Sequence, residues 1–296
     1  MPEEFDIRKP LVGQKKLYIC GHRGDRTGPE ENTMAAFRRA IGHGADLIET
    51  DVHMTKDGEI VLRHDGFIEG VGEIREHTVE ELRKGKPDLP KLSELIALAK
   101  ENPAIGLLIE LKDVPGETDP AGPDAVPGRE SGPVQVAAID PGLSGTEDTF
   151  AFSCAEKTCR ELFKAGLGDR TWILSFSGRL MDFVYKTYGR KFRYHAFYPF
   201  FIMGEMETDP AEYCELACMQ HRFLSEEGEV VKYDDPMCPE SWWQEVRSMG
   251  MVPIAAPSLK TPENFIEAVR RGAGMINSDD PAAHRQLFGL LIKKKG

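Results

Sequence analysis

Short apolar runs and helical patterns take turns along almost the whole of this 296-residue chain, and no other feature limits its fold so strongly. KKLYIC (15–20), ADLIETDV (45–52), EIVLRHD (59–65) and IGLLIELK (105–112) read as strands. So do RTWILSFS (170–177), KFRYHAFYPF (191–200), MVPIAAP (251–257) and GMINSD (274–279). Between them lie helical stretches. The first keeps its period at Met34, Phe37 and Ile41, behind a cap at Asn32 or Thr33. Others are expected at 92–101, 150–166, 178–189, 211–221, 240–250 and 261–272. Strand–helix alternation of this length demands a parallel sheet, either closed as a barrel or open and doubly wound. The open form favours a GxGxxG loop after an early strand, and none is present. With a strand count near eight, the pattern predicts a barrel.

Charge and composition narrow the function. The chain carries a net charge of -12, and its basic residues concentrate only in the tail IKKKG, so a nucleic-acid partner is not expected. No apolar run approaches the ~20 residues needed to cross a bilayer, so no integral membrane segment is expected. The first twenty residues lack a secretory pattern, and the six cysteines show no CxxC or zinc-type spacing. A cytoplasmic protein with free thiols is the expectation, with Cys214 and Cys218 on one helix face. The stretch 113–148 differs from its surroundings, being crowded with Gly, Pro and acidic residues without period. It reads as a loop or lid insertion after the fourth strand of a single domain spanning 1–296.

Ionisable residues cluster at strand ends. Residues i and i+2 of a strand share a face, so Glu49 pairs with Asp51, and Glu110 with Lys112. His22 follows the first strand and His64 closes the third. Four strands in succession therefore begin apolar and end polar, and in a closed barrel such ends meet at one mouth. Glu49, Asp51 and Glu110 would then crowd three like charges together, which a hard divalent cation such as Mg²⁺ or Ca²⁺ relieves. Arg23 and Lys112 beside that cation suit an anionic substrate, and two histidines can trade protons near neutral pH. Phosphoryl transfer fits this set. His53 shares the parity of Glu49 and Asp51. Asp65 reads as a partner for His64 or a turn cap, and Asp279 and Asp280 as a turn and helix cap. The aromatic run from Phe197 to Phe201 reads as packing or as the wall of an apolar pocket.

HRG, ENT with AAF, GADLIETDVHMTKDG, IVLRHD and IELK together resemble the glycerophosphodiester phosphodiesterase family over residues 17 to 112. Further on, ILSFS and GAGMINSDDP are similar to its fifth and closing strands. The resemblance implies a TIM (β/α)₈ barrel that uses Mg²⁺ or Ca²⁺ to cleave glycerophosphodiesters to glycerol 3-phosphate and an alcohol. It implies His22 and His64 as the acid–base pair without deciding which is the base; His22 is expected to serve the leaving group. It also implies Glu49, Asp51 and Glu110 as metal ligands, and Arg23 and Lys112 as phosphate contacts. The chain departs from the family in three places. Glu30 stands where a proline usually precedes ENT, and VPIAAPS replaces a Trp-Thr-Val-Asn run on the seventh strand, putting that strand in question. The segment after His64 is too short for the insertion subdomain of many relatives. Two other functions fit the same residues: a lysophospholipase D, and a barrel that binds phosphate ligands without catalysis.

Overall fold

The computed structural model describes residues 6–12, 16–114, 146–224, 230–232, 237–256 and 261–293. Eight parallel strands form its centre: β1 (Tyr18–Gly21), β2 (Leu47–Met54), β3 (Gly106–Leu111), β4 (Thr171–Leu174), β5 (Arg193–Tyr198), β6 (Leu216–Met219), β7 (Val252–Ala255) and β8 (Met275–Ser278). Each pairs with the next, and β1 pairs with β8 as well as β2, so the sheet closes on itself. It is a TIM barrel. The helices are α1 (Met34–Gly42), α2 (Val79–Gly85), α3 (Leu92–Glu101), α4 (Thr146–Lys164), α5 (Gly178–Tyr188), α6 (Pro210–Tyr213), α7 (Glu240–Ser248), α8 (Pro262–Arg271) and α9 (Pro281–Lys293).

Register carries one face of the sheet around the whole barrel. Partners in adjacent parallel strands share a face, and the ladder links Cys20 to Leu47, Glu49 to Leu108 and Leu108 to Trp172. It continues from Trp172 to Arg193, His195 to Leu216, Cys218 to Ile254, Ile254 to Met275 and Asn277 back to Cys20. These residues and their i+2 neighbours fill the interior, which is a packed core and not a pore. At the barrel's N-terminal end, Arg193 forms a bidentate pair with Glu215, and Trp172 Nε1 donates to the same carboxylate at 3.0 Å. Residues 7 to 11 close this end, accepting from Arg193 at the Ile7 and Lys9 carbonyls.

Three expectations need correction. The run 59–65 supplies no barrel strand, because Ile60–Leu62 turns back and pairs antiparallel with the end of β2. The segment expected after a fourth strand therefore follows the third, β3. Its residues 115–145 lie outside the described residues, and 146–148 already belong to α4. The helix expected at 211–221 is one turn only, α6, and its second half is β6. Leu216 to Met219 are buried between β5 and β7, where the unpaired edges of two neighbours outweigh a helical preference. Cys214 and Cys218 are accordingly not on one helix face, although all six cysteines are buried free thiols. Pro253 sits within β7 at little cost: its carbonyl still accepts from Gly274 N at 3.0 Å.

After the antiparallel return, residues 67–85 form a two-stranded hairpin (Phe67–Ile68 with Gly72–Glu73), a short turn and α2. Val61, Ile68, Ile74, Leu82 and Leu89 give this excursion a small core of its own. Deeper in the barrel lies His195, with neither ring nitrogen hydrogen-bonded among the described residues, and burial pushes its pKa from 6.5 down to about 3. The folded state thus keeps it neutral while the unfolded chain protonates near 6.5, so its contribution to stability is lost as pH falls below 6.5. His195→Leu should flatten the pH dependence of urea stability between pH 6 and 4, removing up to about 1.4 kcal/mol per pH unit.

Candidate active site

The loop after β1 is built around one close approach. Gly24 has φ +89°, and a Cβ there would lie 2.7 Å from the backbone of Ala36 in α1, so only glycine fits. The turn holds Arg23 at φ 55°, in the left-handed region a side chain normally avoids. Two ties keep it there: its N–H donates to Glu49 Oε2 at 2.8 Å, and its carbonyl accepts from Asn32 N at 2.9 Å. Asn32, itself at φ 54°, donates to Asp51 Oδ2 at 2.8 Å and accepts from Thr50 Oγ1 at 2.6 Å. Thr33 caps α1 by accepting from Ala36 N. The choice between two caps is thereby resolved: Thr33 serves the helix and Asn32 the mouth.

Glu49, Asp51 and Glu110 meet at that mouth. Asp51 and Glu110 are register partners on β2 and β3, and ligand oxygens of all three lie within 4.8 Å of one another. All are buried. Burial, with Asp51 and Glu110 close by, raises the Glu49 pKa well above its ordinary value. Burial would raise Asp51 too, but Arg23, Lys112 and His64 and the Asn32 hydrogen bond reverse this and hold it low. Arg23 Nε lies 3.4 Å from Asp51, and Lys112 Nζ 3.1 Å from Glu110 and 3.8 Å from Asp51. Each carboxylate commits one oxygen to a protein donor and leaves the other without a hydrogen bond among the described residues. An oxygen-only set of this kind can hold a hard divalent cation.

The two histidines reach the mouth by different routes. His22 continues β1, its N–H donating to Ser278 O, and its Nδ1 lies 2.8 Å from Asp279 Oδ1. Arg26 donates to the same Asp279 oxygen at 3.0 Å and pairs with Glu31, which also accepts from Arg23. His64 follows the returning strand, and Arg63 N donates to Asp51 O and so brings its neighbour level with the carboxylates. Its Nδ1 lies 2.9 Å from Asp65 Oδ1 and its Nε2 3.1 Å from Lys112 Nζ. All seven residues singled out by sequence are thus drawn to one end of the barrel. His53 is not among the metal-competent group. Its Nδ1 meets Asp113 at 2.6 Å and its Nε2 the His64 carbonyl at 3.2 Å, which makes it a strut beneath the His64 loop.

Sequence reading missed two contributors. Asp279, expected as a turn residue, holds His22; Asp280 alone caps the following helix, accepting from Ala283 N. Asn32, expected as one of two alternative caps, is the other; its place after a glutamate on a glycine-rich loop is the available signal. The aromatic run also divides. Phe197 faces inward and stacks on Phe176 at 3.7 Å, whereas Tyr198 packs outward against Trp242 and Phe200.

A family model described as the glycerophosphoryl diester phosphodiesterase family matches residues 22–175, more than half of the chain and the arc that carries both histidines and all three carboxylates. The chain belongs to this family. It is 45% identical over 73 residues to a glycerophosphodiester phosphodiesterase of Caldanaerobacter subterraneus, covering 23% of this chain and 30% of the relative. It is 40% identical over 81 residues to human glycerophosphodiester phosphodiesterase 1, covering 26% and 24%. The matched stretches span under a third of these curated relatives. In fold it is similar to the crystal structure of a glycerophosphodiester phosphodiesterase from Parabacteroides distasonis, with a TM-score of 0.65 and 20% identity over 94% of this chain and 100% of that chain. It is also similar to an Oleispira antarctica phosphodiesterase solved with sn-glycerol-3-phosphate, with a TM-score of 0.64 and 15% identity over 92% and 96%. At such identities the likeness is one of fold.

In this family member the buried Asn32 amide is the joint between loop and carboxylates. Asn32→Gly keeps the left-handed backbone and removes only the side chain, so it should cost about 1–3 kcal/mol in urea unfolding. Asn32→Ala should cost about 1–2 kcal/mol more, because a Cβ resists that backbone.

Proposed function

We propose that the chain is a metal-dependent phosphodiesterase that hydrolyses glycerophosphodiesters to glycerol 3-phosphate and an alcohol. The observation that carries this reading is the meeting of three carboxylates within 4.8 Å, flanked by two histidines that each rest on an aspartate. Glu49, Asp51 and Glu110 would hold Mg²⁺ or Ca²⁺. The orphaned Asp51 Oδ1 and the raised Glu49 fit such an ion, since a cation satisfies the one and restores the charge of the other. When bound, the ion neutralises charge on a phosphate oxygen as it grows in the transition state. Membership of the family and the glycerol phosphate held by the Oleispira neighbour support the substrate class.

The residues divide the remaining work. Arg23 and Lys112 bring positive charge to the same side of the mouth as the carboxylates and would grip the phosphate oxygens. An ammonium only donates, so Lys112 beside His64 Nε2 makes that nitrogen an acceptor, with the ring proton directed at Asp65. This favours His64 as the base. His22, with Nδ1 turned to Asp279, presents its other nitrogen to the mouth and would protonate the leaving oxygen. Asp279 fixes the orientation of that ring. Within the aromatic run Phe197 turns inward and stacks on Phe176, whereas Tyr198 packs against Phe200 and Trp242, and this division favours water-soluble diesters over acylated lipids. None of the described helices is long and apolar enough to cross a membrane.

His22→Ala and His64→Ala should each lower kcat on glycerophosphocholine about 10²–10⁴-fold with the circular dichroism spectrum retained. A near-normal rate in either would remove it from the acid–base pair. Excess EDTA should abolish turnover, and added Mg²⁺ or Ca²⁺ should restore it. Persistent activity in EDTA would exclude the ion from the reaction.

A further inference from the structure

Opposite the carboxylates, the barrel wall holds two amide side chains that make no side-chain hydrogen bond among the described residues. Cys218, Ile254 and Met275 are register partners on β6, β7 and β8, and two residues further toward the mouth stand Gln220, Ala256 and Asn277. By the alternation of strand faces they form the next interior layer. All three are buried, with Gln220 only 4% and Asn277 9% exposed. Neither amide makes a side-chain hydrogen bond among the described residues, and Asn277 Oδ1 is sealed without a partner. A carboxamide offers two donors and an acceptor, and interiors rarely leave such groups unused. With strands about 4.8 Å apart, the two amides flank a gap whose middle is only the methyl group of Ala256.

The position says which part of a substrate would lie there. Asn277 lies on β8 two residues before Asp279, which follows the strand's end and holds His22. The gap therefore adjoins His22, across the mouth from Glu49, Asp51 and Glu110. Resting on the diesterase reading above, in which His22 serves the leaving oxygen, we propose that Gln220 and Asn277 form the subsite for a hydroxylated leaving alcohol. Donor and acceptor of each amide match the donor and acceptor of a hydroxyl group. The chain then prefers diesters with a polyol headgroup over those whose headgroup, like choline, has no hydroxyl to offer. A choline headgroup would leave both amides desolvated and unpaired.

The test compares kcat/KM on glycerophosphoglycerol and glycerophosphoinositol with that on glycerophosphocholine. Wild-type protein should favour the polyol diesters about ten- to a hundredfold. Gln220→Met and Asn277→Leu keep interior volume and, where their melting curves remain cooperative, should each reduce that preference about tenfold. A wild-type ratio near one would overturn the proposal on its own, whether or not the variants fold. A preference kept in a folded variant would overturn it too. An equal loss on polyol and choline diesters would place the contact on the shared glycerol and overturn the assignment to the leaving alcohol. Failure of the underlying reading is distinct: in that case none of the three diesters is cleaved.

Discussion

Three acidic side chains buried within 4.8 Å of one another are the constraint around which this barrel mouth is arranged. Like charges at that range cannot all remain ionised without compensation. The chain supplies part of it from within: Arg23 and Lys112 offer charge, while the Arg23 amide and the Asn32 carboxamide offer hydrogen bonds. Two positive side chains face three carboxylates, so the cluster can accept further positive charge. The raised Glu49 and the lowered Asp51 express the same imbalance, since one member of a crowded set takes the proton when no cation is supplied.

Compensation has a backbone cost that the loop after β1 carries. Arg23 and Asn32 both adopt left-handed φ values, and Gly24 must be glycine because Ala36 lies against it. Each strained residue is held by a bond to a carboxylate-bearing strand, so loop conformation and carboxylate placement stabilise one another. The antiparallel return after β2 does the corresponding task for His64. A purely parallel barrel would have carried this histidine up and away on a rising strand. The turn instead brings it down to the level of Asp51, and His53 with Asp113 braces it from below.

How much of this could be read in advance differs from element to element. β2 and β3 were legible because both begin apolar and place like-facing polar residues toward the mouth, Glu49 with Asp51 and Glu110 with Lys112. The run 59–65 has the same local character, yet it leaves the barrel, because direction of pairing is not encoded in periodicity. β6 was concealed for the opposite reason: LACM follows a helical turn and continues its period, and only the vacancy between β5 and β7 converts it to a strand. One error added a strand and the other lost one, so the expected total came near eight through partly the wrong members.

Asp279 was the residue least accessible to sequence reading. It lies 257 residues from His22, and its neighbours Asp280 and Pro281 spell out an ordinary helix start. The chain by itself determined the alternation that makes a barrel, the polar ends of β2 and β3, and the glycine-dependent loop, because these depend on residues close in sequence. Only tertiary structure decided which strand turned back, which aspartate supports which histidine, and which amides on the far wall lack side-chain hydrogen bonds among the described residues. Those relations arise when closure of the barrel brings its last strand against its first, and no local pattern records that distance.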